Sequence, residues 1–149
     1  MVLISKNVDE TKEIGARLAT WLDTNGSARA FIALRGEMGV GKTAFTAGFA
    51  SHFGICGVKS PTYTVLNQYS SEKVKIYHYD MYRIADEDDL YSIGFDDYIS
   101  ADGYSLAEWS ENIPYAIPED AIFVTIERTE NGEAERRITV ESSAGEITI

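Results

Sequence analysis

The segment from Gly36 to Thr43 has the residue types and the spacing of a phosphate-binding loop. It reads glycine, glutamate, methionine, glycine, valine, glycine, lysine, threonine, and it matches the pattern G-x-x-x-x-G-K-[ST] at every fixed position. Glycines let the backbone turn and approach phosphate oxygens, and the N–H groups at the start of a following helix point at the anion. The sequence therefore predicts that this phosphate loop binds a nucleotide.

The side chains of the phosphate loop have separate predicted roles. Lys42 is expected to reach the β- and γ-phosphates, and the Thr43 hydroxyl is expected to ligate Mg²⁺. Glu37 is unusual beside phosphates, so its carboxylate is predicted to point away from the anion. The predicted nucleotide-binding positions of this segment are Glu37, Met38, Gly39, Val40, Gly41, Lys42, Thr43 and Ala44.

Two acidic residues are candidates for the carboxylate that a phosphate loop needs at the end of a neighbouring strand. Asp80 ends one strand candidate, and strand alternation places His78 on the same face. Glu108 ends a mostly apolar run that begins at Tyr104. Each acid could also be a surface residue, and His78 is expected to be a packed strand residue, not a catalyst. If the loop binds nucleotide, one carboxylate should hold the Mg²⁺ shell and the other should orient or deprotonate water, and the residue types do not decide which.

Ser60-Pro61-Thr62 lies between the helix after the phosphate loop and the next strand candidate. Pro61 restricts Ser60 to an extended conformation. The segment is either an ordinary turn or a switch in which Thr62 senses the γ-phosphate. Arg83 could pair with Asp80 or reach a phosphate.

The elements that must position these residues predict an α/β protein. A short apolar run precedes the glycine loop, as expected for a strand that is buried on both faces, and alternating segments follow farther on. The expected fold is a three-layer sheet similar to that of P-loop nucleotidases, with a mostly parallel core and a C-terminal antiparallel hairpin. The predicted helices span residues 8–22, 42–53 and 86–99, and the predicted strands span residues 30–34, 63–71, 74–82, 104–109, 121–128 and 136–141.

Composition limits the classes of function. The 149 residues are expected to form a single domain, 1–149. Their net charge of −11 argues against a protein that itself holds nucleic acid or docks on anionic membranes. No signal peptide or membrane span is visible, which favours a cytoplasmic protein. The single cysteine, Cys56, is expected to be a small buried residue in a reducing compartment.

The negative charge is concentrated in one stretch of the chain. Residues 84–120 contain eleven acids and no lysine or arginine. This acidic segment is either a solvated helical face or a docking surface for a basic protein partner.

Five groups of residues, taken in order, are similar to one family. They are residues 36–43, Ser60-Pro61-Thr62-Tyr63-Thr64, Asn67 with Tyr69, His78-Tyr79-Asp80-Met81-Tyr82-Arg83, and Glu108-Trp109. The series resembles TsaE, also called YjeE, the small ATPase family of tRNA threonylcarbamoyladenosine synthesis in bacteria. The similarity runs from about Leu3 to Thr129 and weakens in the C-terminal hairpin. The family often has aspartate at position 37 and a second threonine at position 44, and neither position supplies a required contact.

The resemblance implies a function and a set of site residues. It implies Mg²⁺-dependent hydrolysis of ATP to ADP that serves a TsaB–TsaD heterodimer, which transfers threonylcarbamoyl to an adenosine of tRNA. Contact with tRNA is implied only through that partner. By the resemblance, the catalytic residues are Lys42, Thr62, Asp80 and Glu108, the metal ligands are Thr43 and Glu108, and Trp109 lies near the nucleotide.

Three other functions share the same loop. A small-molecule kinase would need basic residues to clamp an anionic acceptor, and residues 84–120 supply none. A GTPase would need a guanine-reading Asn-Lys-x-Asp motif, which the sequence lacks. A nucleotide-gated binding module without turnover keeps the loop, and only measured hydrolysis separates it from an ATPase.

Overall fold

The computed structural model describes residues 1–149 and contains one seven-stranded sheet. In chain order the elements are β1 Val2–Ser5, α1 Val8–Thr24, β2 Arg29–Arg35, α2 Lys42–Ser51, β3 Leu66–Ser70, β4 Lys75–Asp80, α3 Glu87–Ser92, α4 Phe95–Ser100, β5 Gly103–Glu108, β6 Ile122–Arg128 and β7 Arg136–Ser142. Two single-turn 3₁₀ helices, Ser110–Asn112 and Pro114–Ala116, lie between β5 and β6.

The sheet has a parallel centre and antiparallel edges. Its strand order is β1-β7-β6-β2-β5-β4-β3. The four central strands β6, β2, β5 and β4 pair in parallel, whereas β7, β1 and β3 pair antiparallel with their neighbours. The predicted parallel core and the C-terminal hairpin β6–β7 are therefore confirmed. Since β2 lies at the middle of the parallel set, the loop that follows it opens beside the ends of β5 and β4.

Helices cover both faces of the sheet and make the three predicted layers. The first core lies between one face and the helices α1 and α2, and it contains Leu18, Phe45 and Phe49. The second core lies on the opposite face and includes Phe31 and Phe95, whose rings meet edge to face at 6.0 Å. Strand β2 contributes to both cores, which explains why its apolar residues are continuous instead of alternating.

Helices α1 and α2 approach each other at two glycines. A Cβ on Gly48 would overlap the carbonyl oxygen of Lys12, and a Cβ on Gly15 would overlap the carbonyl oxygen of Phe45. Only glycine permits backbones to pack this closely. The two contacts fix the position of α2 against the sheet, and α2 begins at Lys42.

Several sequence-based boundaries were wrong, each for a local reason. The helix predicted over residues 86–99 is two short helices, because Gly94 adopts a left-handed conformation (φ +75°) between them. The helix predicted to end at Phe53 ends at Ser51. Strand β3 begins at Leu66, because residues 62–64 form a turn. Strand β1 was not predicted, since its four residues are too short to show a pattern.

The cysteine prediction was also wrong. Cys56 is exposed, in the irregular connection between α2 and β3. Ile55, beside it, is buried in the first core and anchors this connection instead.

Many carboxylates of the acidic segment lie at helix N-termini. Asp86 caps α3 by accepting a hydrogen bond from the Asp89 backbone N–H at 3.0 Å. The first turns of α3 and α4 carry five acids between them: Glu87, Asp88, Asp89, Asp96 and Asp97. Negative charge is favourable there because the helix dipole is positive at its N-terminus. The charge of these residues thus has a local structural role, and docking of a basic partner stays a prediction.

The length and the polarity of the helices bear on whether any of them could cross a membrane. None of them combines the length and the apolar character that a membrane crossing requires.

The close contact of α1 and α2 at Gly48 predicts that a larger residue at this position destabilises the fold. Gly48→Ala forces α1 away from α2 and is expected to lower the free energy of unfolding by about 1–3 kcal/mol or more, as overpacking does. Gly145→Ala is the matched control, since a Cβ at that position meets no atom within 4 Å. Urea unfolding of the two variants and the parent chain measures the difference. Equal stability of Gly48→Ala and Gly145→Ala would contradict the close approach.

Candidate functional site

The phosphate loop turns sharply at the carboxyl end of β2. Gly36, Gly39 and Gly41 have φ of +145°, +75° and +123°, values that side-chain-bearing residues rarely adopt. At Gly36 the backbone also passes so close to β6 that a Cβ would lie 2.5 Å from the Ile126 carbonyl oxygen. The glycines are therefore required by the backbone path itself, and this path directs the loop into the N-terminus of α2.

Two arginines of the C-terminal hairpin hold the phosphate loop from outside. Arg136 on β7 donates from Nε to the Val40 carbonyl oxygen at 2.8 Å. Arg128 on β6 lies 3.5 Å from the carboxylate of Glu37. These contacts draw the Val40 carbonyl and the Glu37 carboxylate toward the hairpin, and neither residue lines the cavity beside Lys42. The predicted outward orientation of Glu37 has its explanation in this pair.

Lys42 is a buried cation without a carboxylate partner. Only 5% of the residue is exposed, and no acidic oxygen lies within 4.0 Å of its Nζ. The ammonium donates to the Gly36 carbonyl oxygen at 2.7 Å and lies 4.6 Å from the centre of the Trp109 ring. A carbonyl dipole and an aromatic face compensate only part of the cost of burying a charge. The site is therefore electrostatically complementary to an anion.

The two predicted carboxylates lie side by side at the carboxyl ends of adjacent parallel strands. Asp80 on β4 and Glu108 on β5 are register partners, and both are nearly buried. Glu108 Oε2 lies 3.4 Å from the Thr43 hydroxyl, which donates to it. Asp80 Oδ1 instead accepts the backbone N–H of Tyr82 at 2.9 Å. The structure thus separates the two acids, since only Glu108 contacts the threonine that was predicted to bind metal.

A cavity of about 440 Å³ brings most predicted site residues together. Its lining residues are Met38, Gly39, Gly41, Lys42, Thr43, Ala44, Ser60, Thr62, Asp80, Tyr82, Arg83, Glu108 and Trp109. Glu37 and Val40 do not line it: Glu37 faces Arg128, and Val40 packs in the first core. A larger hollow of about 570 Å³ lies near the N-terminal ends of β4 and β5, and no buried charged side chain lines it.

The segment Ser60–Thr62, here called the switch segment, is linked by hydrogen bonds to the strand that carries Asp80. The Pro61 carbonyl oxygen accepts the Val65 N–H at 2.8 Å, and the Val65 carbonyl oxygen accepts the Asp80 N–H at 2.8 Å. Val65 has φ +68°, an unfavourable value for a β-branched residue. Thr62 is exposed on the cavity wall, within 2.6 Å of the Ser60 hydroxyl. Two backbone hydrogen bonds through Val65 therefore connect this segment to Asp80.

Two further residues lie on the cavity rim: Tyr82, to which the sequence assigned no role, and Arg83, for which it left open a pair with Asp80 or a contact with phosphate. Tyr82 is 60% exposed, and its ring lies edge-on to Trp109 at 5.1 Å. Arg83 lines the cavity without an ion pair to Asp80. For Tyr82 the only available signal was its position shortly after Asp80. Trp109, predicted to be core or pocket wall, is a wall residue with φ +57°.

His78 is a packed strand residue, as predicted, but it also contacts the site. It is fully buried on β4, and its Nε2 lies 2.6 Å from Glu108 Oε2. The contact joins residues that are thirty positions apart, so the local pattern could not reveal it.

The donor set fits a magnesium nucleotide better than a metal held by protein alone. No group of three or more histidine, cysteine, aspartate or glutamate side chains could hold a metal ion. Mg²⁺ usually takes one or two protein ligands and completes its shell with water and substrate phosphates. Thr43 and Glu108, 3.4 Å apart beside the buried Lys42, provide such a partial set.

Comparison with known proteins agrees with this geometry. Residues 5–138 match the profile of the family described as "Threonylcarbamoyl adenosine biosynthesis protein TsaE". The chain is 37% identical over 134 residues to the tRNA threonylcarbamoyladenosine biosynthesis protein TsaE of Bacillus subtilis, covering 89% of this chain and 80% of that protein. The protein of the same name from Treponema pallidum is 30% identical over 141 residues, covering 94% and 99%.

A solved structure extends the agreement to three dimensions. The crystal structure of Bacillus subtilis YdiB superimposes with a TM-score of 0.76 at 30% identity, and the match covers 94% of this chain and 83% of that one. The expected fold class is confirmed. The chain belongs to the TsaE family of tRNA threonylcarbamoyladenosine biosynthesis proteins.

Proposed function

We propose that the chain binds and hydrolyses ATP with Mg²⁺. The observation that carries this proposal is the buried ammonium of Lys42, which has no carboxylate partner and faces a cavity between the phosphate loop and two carboxylates. Phosphate oxygens supply the missing negative charge. Backbone N–H groups at the start of α2 add to the attraction, because the helix dipole is positive there.

Thr43 and Glu108 would hold Mg²⁺, which, when bound, neutralises phosphate charge during phosphoryl transfer. Thr43 presents its hydroxyl from the first turn of α2, and Glu108 presents a carboxylate from the end of β5. One oxygen of Asp80 accepts a hydrogen bond from the Tyr82 N–H. Its other oxygen would be available to orient a water molecule or to accept a proton from it. The separation of the two acids supports this division of roles.

Trp109 and the switch segment give the site its walls. The Trp109 ring covers the Lys42 ammonium at 4.6 Å and shields that charge from solvent, which strengthens its attraction for phosphate. Thr62 lines the same cavity, and its hydroxyl, which is hydrogen-bonded to the Ser60 hydroxyl, would contact a γ-phosphate. Loss of that contact after hydrolysis would release the switch segment.

The work of this ATPase is proposed to be done on a TsaB–TsaD complex. Family membership supports a role in tRNA threonylcarbamoyladenosine synthesis. The net charge of −11 disfavours direct binding of tRNA, so contact with tRNA is proposed only through the partner proteins. The exposed residues Ser60 and Thr62 beside the cavity are the part of the site that a partner could contact differently in each nucleotide state.

Removing the Lys42 charge tests nucleotide binding directly. Lys42→Met keeps most of the buried volume but removes the ammonium, and we expect ATP hydrolysis to fall at least about 100-fold, as when one electrostatic stabiliser is lost. The free energy of unfolding should not decrease, because an uncompensated buried charge disappears. Lys75→Met, exposed at the far end of β4, is the matched control. Calorimetric titration with ATP and with GTP measures binding, and a preference for guanine would overturn the proposal.

The hydrogen bond from Arg136 to the Val40 carbonyl oxygen can be tested by substitution. Arg136→Gln removes the charged donor to the Val40 carbonyl, and we expect the affinity for ADP to fall about fivefold to tenfold because the loop loses one fixed carbonyl. Arg137→Gln changes the same charge on the opposite face of β7, where the side chain is exposed. Fluorescent ADP titration compares the two variants. Identical ADP affinities of the two variants would show that the Arg136 hydrogen bond does not hold the phosphate loop in its binding conformation.

The partner proposal predicts binding that depends on nucleotide. Mixed with purified TsaB–TsaD heterodimer, the chain should bind about fivefold or more differently in ATP than in ADP, the usual lower range of coupling between sites. Thr62→Ala should abolish that difference, whereas Thr24→Ala, exposed at the end of α1, should preserve it. Light scattering or analytical ultracentrifugation gives the affinities. Absence of a complex with either nucleotide would refute the choice of partner.

A further inference from the structure

His78 and Glu108 form a buried pair directly behind the candidate metal site. His78 has no exposed surface, and the Glu108 side chain is 8% exposed. His78 Nε2 lies 2.6 Å from Glu108 Oε2, and the Thr43 hydroxyl lies 3.4 Å from the same oxygen. Glu108 Oε2 therefore contacts both the His78 ring and the Thr43 hydroxyl, whereas Glu108 Oε1 makes no hydrogen bond within the chain.

The surroundings of the imidazole determine where its hydrogen lies. Nδ1 of His78 is buried and has no hydrogen-bond partner. A hydrogen on Nδ1 would be a buried donor without an acceptor, which costs more than leaving a bare acceptor nitrogen whose neighbour is satisfied. The hydrogen is therefore placed on Nε2, where it is donated to Glu108. In this tautomer the His78 ring donates one hydrogen bond, which points at Glu108 Oε2.

We propose that His78 is a positioning residue, which fixes the Glu108 carboxylate so that its remaining oxygen is presented beside Thr43 to the magnesium-bound nucleotide. The inference rests on the proposed function, since it concerns the ligand that this function assigns to Mg²⁺. A glutamate at the end of a strand has three rotatable side-chain bonds, and a single strong donor removes much of that freedom. Residues that orient a metal ligand in this way affect metal affinity without touching the metal.

The position of His78 in the strand supports this role over simple packing. Its neighbours on the same face of β4 are the apolar core residue Ile76 and the site residue Asp80. An apolar residue would fill this buried position without leaving Nδ1 unsatisfied. The other histidine, His52, is partly exposed and pairs with Asp23 at 2.9 Å, so it provides an internal comparison.

A first experiment examines the nucleotide-free protein by NMR. The chain has two histidines, so ¹⁵N labelling of His52→Gln leaves only the His78 ring in a long-range ¹H–¹⁵N spectrum. We expect the pattern of a ring that is protonated at Nε2 and not at Nδ1. Glu108→Ala should shift the Nε2 resonance or mix the tautomers, whereas Glu111→Ala, exposed three residues downstream, should not. A ring protonated at Nδ1, or one unaffected by Glu108→Ala, overturns the proposal.

A second experiment compares three replacements by the reach of their donors. The amide nitrogen of Gln occupies roughly the place of Nε2, that of Asn is too short to reach Glu108, and Leu has no donor. His78→Asn and His78→Leu should weaken Mg²⁺-dependent ADP binding about 10- to 100-fold, the range found for residues that orient metal ligands. His78→Gln should recover most of it, and binding measured in EDTA should be equal in all four proteins. Thermal unfolding confirms that each variant is folded.

The outcomes separate this inference from the function on which it rests. If ADP binding to the parent chain does not depend on Mg²⁺, the proposed function is refuted. If the parent chain shows that dependence and His78→Leu shows the same dependence, only the role of His78 is overturned. If His78→Gln is as impaired as His78→Leu while both are folded, the effect comes from packing and the proposal is again overturned.

Discussion

The site depends on one electrostatic constraint: the ammonium of Lys42 is nearly buried and has no carboxylate partner. Burial of an unpaired charge is unfavourable, and the surrounding carbonyl and aromatic ring offset only part of its cost. The carboxylates of Asp80 and Glu108 lie on neighbouring strands, yet neither is within ion-pair distance of it. The chain thus retains a positive charge without an anionic partner beside a cavity, and the phosphates of the proposed nucleotide would supply that partner.

Keeping this cation in place requires contacts from distant parts of the chain. Lys42 begins α2, and α2 is held by the glycine contacts with α1 on one side of the sheet. The loop before it is held by Arg136, which reaches Val40 from β7 across 96 positions of sequence. The packing of α1 against α2 and the contact from the hairpin β6–β7 therefore both help to position Lys42.

The predictable parts of the site were those in which one short segment carries the whole signal. The eight residues of the phosphate loop, the strand before them and the helix after them could all be identified locally. The bond between His78 and Glu108 could not, because it depends on the pairing of β4 with β5. The Gly94 break could not either, since the flanking residues keep a helical pattern. The two acids were found, but only the side-chain contact at 3.4 Å showed that Glu108 is the one that meets Thr43.

Backbone strain at the cavity connects these parts. Val65 and Trp109 are the two non-glycine residues with positive φ, and they follow the switch segment and Glu108 respectively. Such conformations cost about 1–3 kcal/mol each and persist only where surrounding contacts hold them. Val65 is held through its hydrogen bonds to Pro61 and Asp80. A movement of the switch segment would strain these two bonds, the second of which ends at the backbone of Asp80. If nucleotide moves the switch segment as proposed, this backbone connection would carry the change to Asp80 without a side-chain relay.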